Sequence, residues 1–218
     1  MVDLELLSYL ETFISEGRKQ RFLEILDQRT RFLTVAIEDV FQMHNTSAVL
    51  RSCEVFGVQD IHVVEDRFAK RLDKNIAMGA QQWVDVYSYG SSMDCVWELK
   101  RQGYQIVATT PYGDAQSLRD FTVTGKLALF FGTEKEGLSA GVMSSADVFL
   151  KIPMCGFTES LNISVSVAII LHNLTQKLRE SNFGWALTPS EKLEKQLDWT
   201  KKSIKSIDEI LRRYRGSQ

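Results

Sequence analysis

The chain has 218 residues, of which 44% are hydrophobic and 25% charged, and its formal net charge is −2. That suits one globular domain with appendages, long enough to bury a core without covalent staples. Cys53, Cys95 and Cys155 are scattered and odd in number, and His44, His62 and His172 are far apart, so neither a disulfide framework nor a metal site is expected. The start, Met1 to Phe13, lacks the basic opening and apolar core of a signal peptide. Ile163–Leu171, the longest apolar-rich stretch, is broken by serines and too short for a bilayer. The expectation is a cytoplasmic protein with no membrane partner.

The slightly acidic whole hides two basic ends. From Gly17 to Arg31 five basic residues face two acidic ones, and from Glu191 onward eight face five. Such local surface can hold phosphates on an acidic protein, and it equally describes two solvated helix faces.

Taken in chain order, residues 3–14 and 18–28 predict two short helices parted by Gly17. Phe32–Ile37 predicts a buried strand, and Asn45–Phe56 a helix closed by Gly57. Strands follow at Ile61–Val64 and Trp83–Tyr87, then a helix at Met93–Arg101 and strands at Gln105–Ala108 and Leu127–Phe131. A short helix is expected at Ser139–Ala146, a strand at Val148–Ile152, and a long helix at Leu161–Glu180, where length outweighs the β-branched run Ile163–Val167. The tail from Ser190 to Tyr214 carries helical spacing. Alternating helices and continuously apolar strands predict an α/β fold, a mostly parallel sheet with helices on both faces. Ligands of such sheets sit beyond the strands' C-terminal ends, where the loops Phe41–Asn45, Gly132–Gly137 and Met154–Asn162 are polar or glycine-rich.

Each of these loops is modest alone. Asn45 reads as a helix N-cap, with Arg51 six residues on as a surface arginine. Gly132-Thr-Glu134-Lys-Glu-Gly137 bounds a strand-to-helix turn that is neither a Walker loop nor a dinucleotide fingerprint. Ile152-Pro-Met-Cys-Gly-Phe-Thr-Glu-Ser160-Leu161-Asn162-Ile-Ser164 enters the long helix through capping residues.

Together and in order, Asn-x5-Arg, Gly-x-Glu-x-x-Gly and Ile-Pro-Met…Ser-Leu-Asn-x-Ser resemble the three motifs of the SpoU (TrmH) family of SPOUT RNA methyltransferases, over roughly Phe32 to Arg179. The resemblance implies a C-terminal trefoil knot that forms the cofactor site. It divides the chain into an N-terminal helical extension at 1–30, a methyltransferase domain at 31–185, and a C-terminal helical extension at 186–218 as an RNA-binding element. The implied cofactor is S-adenosylmethionine, held by backbone groups of Thr109, Gly132, Ile152 and Leu161, with Gly132 and Gly156 leaving room. No metal is implied. The implied catalytic residue is Arg51, with Asn45 and Asn162 orienting it and the ribose, and Glu134 and Ser160 completing the site. A guanidinium essentially never deprotonates, so Arg51 is expected to bind phosphate and stabilise the alkoxide rather than act as a base.

The family dimerises through the knot region, so the resemblance implies a homodimer; the helix from Leu161 reads equally well as its two-fold interface or as a buried core helix. The short extensions resemble the tRNA guanosine-2′-O-methyltransferases of the D-loop, which implies a tRNA partner and no DNA partner. Two alternatives stand beside this: 2′-O-methylation of rRNA or another tRNA position, and an RNA-binding factor of the same fold without catalysis. Glu159 adds a negative charge near the RNA site, which leaves the substrate open.

Overall fold

The computed structural model describes residues 2–39, 43–65 and 79–216. Along the chain run α1 (Leu4–Glu11), α2 (Glu16–Leu26), β1 (Leu33–Glu38), α3 (Met43–Phe56), β2 (Asp60–Val64), a 3-10 turn at Ala80–Gln82, β3 (Asp85–Tyr89) and α4 (Ser92–Arg101). These are followed by β4 (Gln105–Thr109), β5 (Gln116–Ser117), β6 (Leu127–Phe131), α5 (Ala140–Ser145), β7 (Val148–Lys151), α6 (Ile163–Arg179), α7 (Pro189–Ser203) and α8 (Ile207–Gly216). Two compact units emerge: Thr30–Trp185, and Met1–Arg29 with Ala186–Gln218.

The Thr30–Trp185 unit is an α/β sandwich around a seven-stranded sheet ordered β3-β2-β1-β6-β4-β7-β5, every pair parallel. Successive side chains of a strand point to opposite faces, so β1 and β6 each feed two cores. Leu33, Val35, Ile37, Leu127, Leu129 and Phe131 face α3 and α6, meeting Val49, Cys53, Val167 and Leu171. Ala36, Ala128 and Phe130 face the other side, against Cys95, Leu99 and Val142. The expected α/β class with helices on both faces is the one observed.

Several expectations need correction. Continuous apolarity fails at β3, whose central residues are exposed, because it is an edge strand with β2 as its one neighbour. The two-residue β5 was not foreseen. It pairs with β7 through Gln116↔Leu150 and Ser117↔Lys151, so β7 lies between two segments that precede it in the chain. Of the loop expected at Phe41–Asn45, Phe41 and Gln42 fall outside the described residues. Asn45 is no N-cap, because α3 already begins at Met43.

In the other unit, Gly17 lies inside the first turn of α2, whose cap is Ser15 accepting from the Arg18 N–H at 3.3 Å. The tail is two helices. Thr188 and Glu191 close a capping box on α7, and Ile204 takes an extended conformation that ends it. Trp199 is buried edge-on against Phe22, centroids 5.7 Å apart, beneath the Arg29 guanidinium. Basic residues counted as phosphate contacts are therefore not all available. Arg29 is buried here, Lys19 pairs with Glu11 at 2.7 Å and Lys192 with Asp27 at 2.7 Å. Arg31, in the sheet unit, binds Asp60 and Asp85. Arg18, Lys205, Arg212, Arg213 and Arg215 remain exposed.

Candidate active site

β4, β6 and β7 are adjacent and parallel, so the loops leaving their C-terminal ends converge. They enclose a cavity of about 700 Å³ with walls from Thr109–Ala115, Phe131–Leu138 and, after β7, Ile152, Met154, Ser160 and Leu161, and with Ile163, Ser166 and Ile170 of α6 behind. This volume suits a nucleoside-sized ligand.

The wall after β6 is tightly built. Thr133 and Gly137 exchange backbone hydrogen bonds at 3.1 and 3.0 Å, closing a small loop. A Cβ on Gly132 would meet the Gly137 carbonyl at 2.2 Å, and Gly137 itself has φ +69°. Gly132 therefore makes room for its own loop, a role the sequence did not suggest, while also standing in the cavity wall. The loop hands over to α5 at Ser139. The buried Glu38 carboxylate, at the end of β1, accepts the Ser139 N–H at 2.7 Å and the Ser92 hydroxyl at the start of α4. Thr109 donates its hydroxyl to the Phe130 carbonyl at 2.7 Å, fixing β4 to β6 at the cavity mouth.

The wall after β7 is looser. Residues 155–160 are all exposed, and Tyr112 reaches across to Glu159 with a 3.4 Å hydrogen bond. The segment enters α6 at Asn162, which caps the helix by accepting the Ser164 N–H at 2.9 Å. Its amide donates to Glu134 Oε1 at 2.8 Å and to Asn45 Oδ1 at 3.2 Å. The buried Asn45 donates to the same Glu134 oxygen at 3.4 Å. Side chains 28 to 117 residues apart thus form one polar knot of contacts.

Of the residues named from the sequence, Asn45, Glu134 and Asn162 meet in this cluster. Ser160, Thr109, Gly132, Ile152 and Leu161 stand in the cavity wall. Arg51 does not line the cavity. It is exposed on α3, where six residues of helix turn it about 120° from Asn45 and carry it about 9 Å along the axis. Val55, four residues further and thus on the same stripe, is 65% exposed. Sequence reasoning missed Glu38 and most of the Thr110–Ala115 wall. The latter's Pro111-Tyr-Gly-Asp turn signature, directly after a strand, was the available signal.

Two buried ionisable groups near the sheet are unsuited to proton transfer at neutral pH. Burial pushes His62 down to about 4, against a smaller opposing pull from Glu98. Burial, helped by nearby Glu38, pushes the Cys95 thiol up to about 12.

The profile of the SpoU rRNA methylase family matches residues 32–172. A tRNA (guanosine(18)-2′-O)-methyltransferase of Borreliella burgdorferi is 38% identical over 207 residues, 95% of each chain. One from Thermus thermophilus is 34% identical over 190 residues, 86% of this chain and 98% of that one. The crystal structure of the A. aeolicus TrmH/SpoU tRNA modifying enzyme superposes with a TM-score of 0.76 at 29% identity, covering 87% of this chain and 98% of that one. The chain belongs to the SpoU methylase family.

Proposed function

We propose that this chain transfers a methyl group from S-adenosylmethionine to the ribose 2′-hydroxyl of a D-loop guanosine in tRNA, guanosine 18 by analogy with its relatives. The observation that carries the reading is the meeting of Asn45, Glu134 and Asn162 beside the cavity. It occurs in a chain 38% identical, over 95% of its length, to a tRNA (guanosine(18)-2′-O)-methyltransferase.

The cavity suits the cofactor. Ile152 and Leu161 have no polar side-chain atoms and the Thr109 hydroxyl is engaged, so backbone groups of Thr109, Gly132, Ile152 and Leu161 are the natural partners of a purine and its ribose. Apolar side chains such as Leu138, Phe149 and Ile163 enclose the rest. When bound, S-adenosylmethionine presents an electrophilic methyl to the ribose oxygen. Insertion of β7 between β4 and β5, followed by the return of α6 onto α3, supports a trefoil knot threaded by residues 152–162.

The chain's own task is positioning and charge. Asn162 and Asn45, held by Glu134, orient the substrate ribose, and Ser160 completes the mouth. In-line placement of reacting atoms accounts for much of such a rate enhancement. The permanently charged Arg51 fork holds a substrate phosphate and offsets negative charge developing on O2′. Its place on the outer stripe of α3 fits action beside the cofactor of a second subunit. Val55 on α3 and Val165 and Ile169 on the adjoining α6 offer that subunit an exposed apolar face. The helical extensions at 1–30 and 186–218 flank a methyltransferase domain at 31–185. Their exposed cations, Arg18, Lys205, Arg212, Arg213 and Arg215, track tRNA phosphates. No helix among the described residues is long and apolar enough to cross a membrane, and the cytoplasm is where such a substrate is met.

The test is methyl transfer from labelled S-adenosylmethionine to total tRNA and, separately, to rRNA, with Arg51→Ala alongside. Label in tRNA at one alkali-resistant D-loop ribose, absent with the variant, is the expected result. Label confined to rRNA would replace the substrate, and cofactor binding without label in either would replace the activity.

A further inference from the structure

Phe157 stands at the apex of the loop after β7. At 108% relative exposure it is the most exposed large apolar side chain among the described residues. Its sequence neighbours Cys155, Gly156, Thr158 and Glu159 are exposed too, and none of them carries a large apolar side chain. Leaving a phenyl ring in water forgoes the favourable burial of its apolar surface, so a fully solvated phenylalanine beside a site invites a partner.

The loop's other residues say where that partner lies. Met154 and Ser160, three positions to either side, line the cavity, and three residues of chain reach at most about 10 Å. Glu159 is tied to Tyr112 on the opposite wall, fixing the strand of loop that follows Phe157. The ring thus stands outside the cavity lining, within about 10 Å of chain from residues that form it.

We propose that Phe157 is a stacking platform for a nucleobase of the RNA substrate, on or next to the nucleotide whose ribose enters the cavity. This rests on the reading of the chain as an RNA methyltransferase. A ribose inside the mouth leaves its own base and its neighbour's outside, unstacked from the RNA, with open π-faces. One aromatic ring suffices to receive a base, in any sequence context. A second protein copy fits the surroundings less well, because a stable protein interface buries about 800 Å² per partner as a continuous patch. The sequence neighbours of Phe157 offer no such patch, whereas Val55, Val165 and Ile169 offer apolar surface on α3 and α6. Phe157 is accordingly a positioning residue that sets RNA affinity and register, leaving the cofactor site unaltered.

The experiment compares Phe157→Ala, Phe157→Leu and Phe157→Trp with the unaltered protein. It measures tRNA affinity by filter binding, S-adenosylmethionine affinity by calorimetry, single-turnover methyl transfer, and mass by sedimentation. Stacking predicts that alanine weakens tRNA binding about 5- to 100-fold, with cofactor affinity and mass unchanged. Tryptophan should restore binding to within about 2-fold and leucine should not, since only a π-face is required. Equal rescue by leucine would reduce the role to apolar contact and overturn the proposal. So would unchanged tRNA affinity in the alanine variant. A drop in mass with alanine would assign the ring to a second copy instead. Failure of the unaltered protein to methylate or bind tRNA would overturn the functional reading itself, a result distinct from all of these.

Discussion

The two walls of the cavity are made of similar sequence, short runs of Gly, Ser, Thr and Glu between a strand and a helix, yet they are built in opposite ways. The wall after β6 is closed on itself through Thr133 and Gly137 and anchored by Glu38. The wall after β7 is open to solvent over residues 155–160 and tied at Glu159 and Asn162. A closed loop keeps its shape without a ligand, while an open one can adapt to a large and irregular one. We propose that the closed wall is the fixed part of the cofactor's seat and that the exposed residues 155–160 of the other wall are the side that meets RNA.

The largest expected effect comes from Gly132. Gly132→Ala forces a Cβ to within 2.2 Å of backbone, so it should destabilise the sheet unit by about 3 kcal/mol and abolish cofactor binding, read by thermal melting and calorimetry. Asn162→Ala, at the hinge where the open wall becomes helix, should lower kcat about 100-fold through misplaced groups. It should lower stability by only about 1 kcal/mol through the lost cap. Rapid-quench kinetics beside a denaturant melt separates the two. Glu38→Gln retains a side chain of nearly equal size but loses the charged acceptor shared by Ser92 and Ser139. Cofactor affinity should fall about 10-fold, with kcat at saturating cofactor changed less. Gly156→Ala closes the series. The nearest atom to its added Cβ is Thr158 N at 3.9 Å, so activity should stay within about 2-fold. If both glycine substitutions proved equally harmful, the contrast between the walls would collapse.

Much of this was legible from residues alone, because buried parallel strands write apolar runs and their loops write glycine, proline and asparagine. Leu127–Phe131 is recovered without error, and the long helix was read correctly despite its β-branched start. What escaped depends on partners distant in sequence. Gln116–Ser117 become a strand only because β7 lies beside them. Asn45 carries every local mark of a cap, and is instead drawn to Glu134 and Asn162. The break between α7 and α8 falls at Ile204-Lys-Ser, which contains neither glycine nor proline. Glu38 reads as the polar end of a strand, and its two acceptor contacts arise from Ser92 and Ser139, 54 and 101 residues away. The candidate site was visible as three motifs. The resemblance put Glu134 in one site with Asn45 and Asn162, but the hydrogen bonds by which Glu134 joins them were not legible in the sequence.

The insertion of β7 between β4 and β5 also bears on how the molecule is made. While the chain emerges from the ribosome, β4 and β5 appear first, with nothing between them to pair with. The ladder bonds they await belong to residues 34 (Gln116↔Leu150) to 41 (Val107↔Val148) positions further on, and α6 must then return to α3 before the core on that face of the sheet is sealed. The cavity therefore does not exist in any shortened nascent form. A premature stop anywhere before α6 yields a chain with exposed strand edges rather than a weakened enzyme, and such a chain is material for proteolysis.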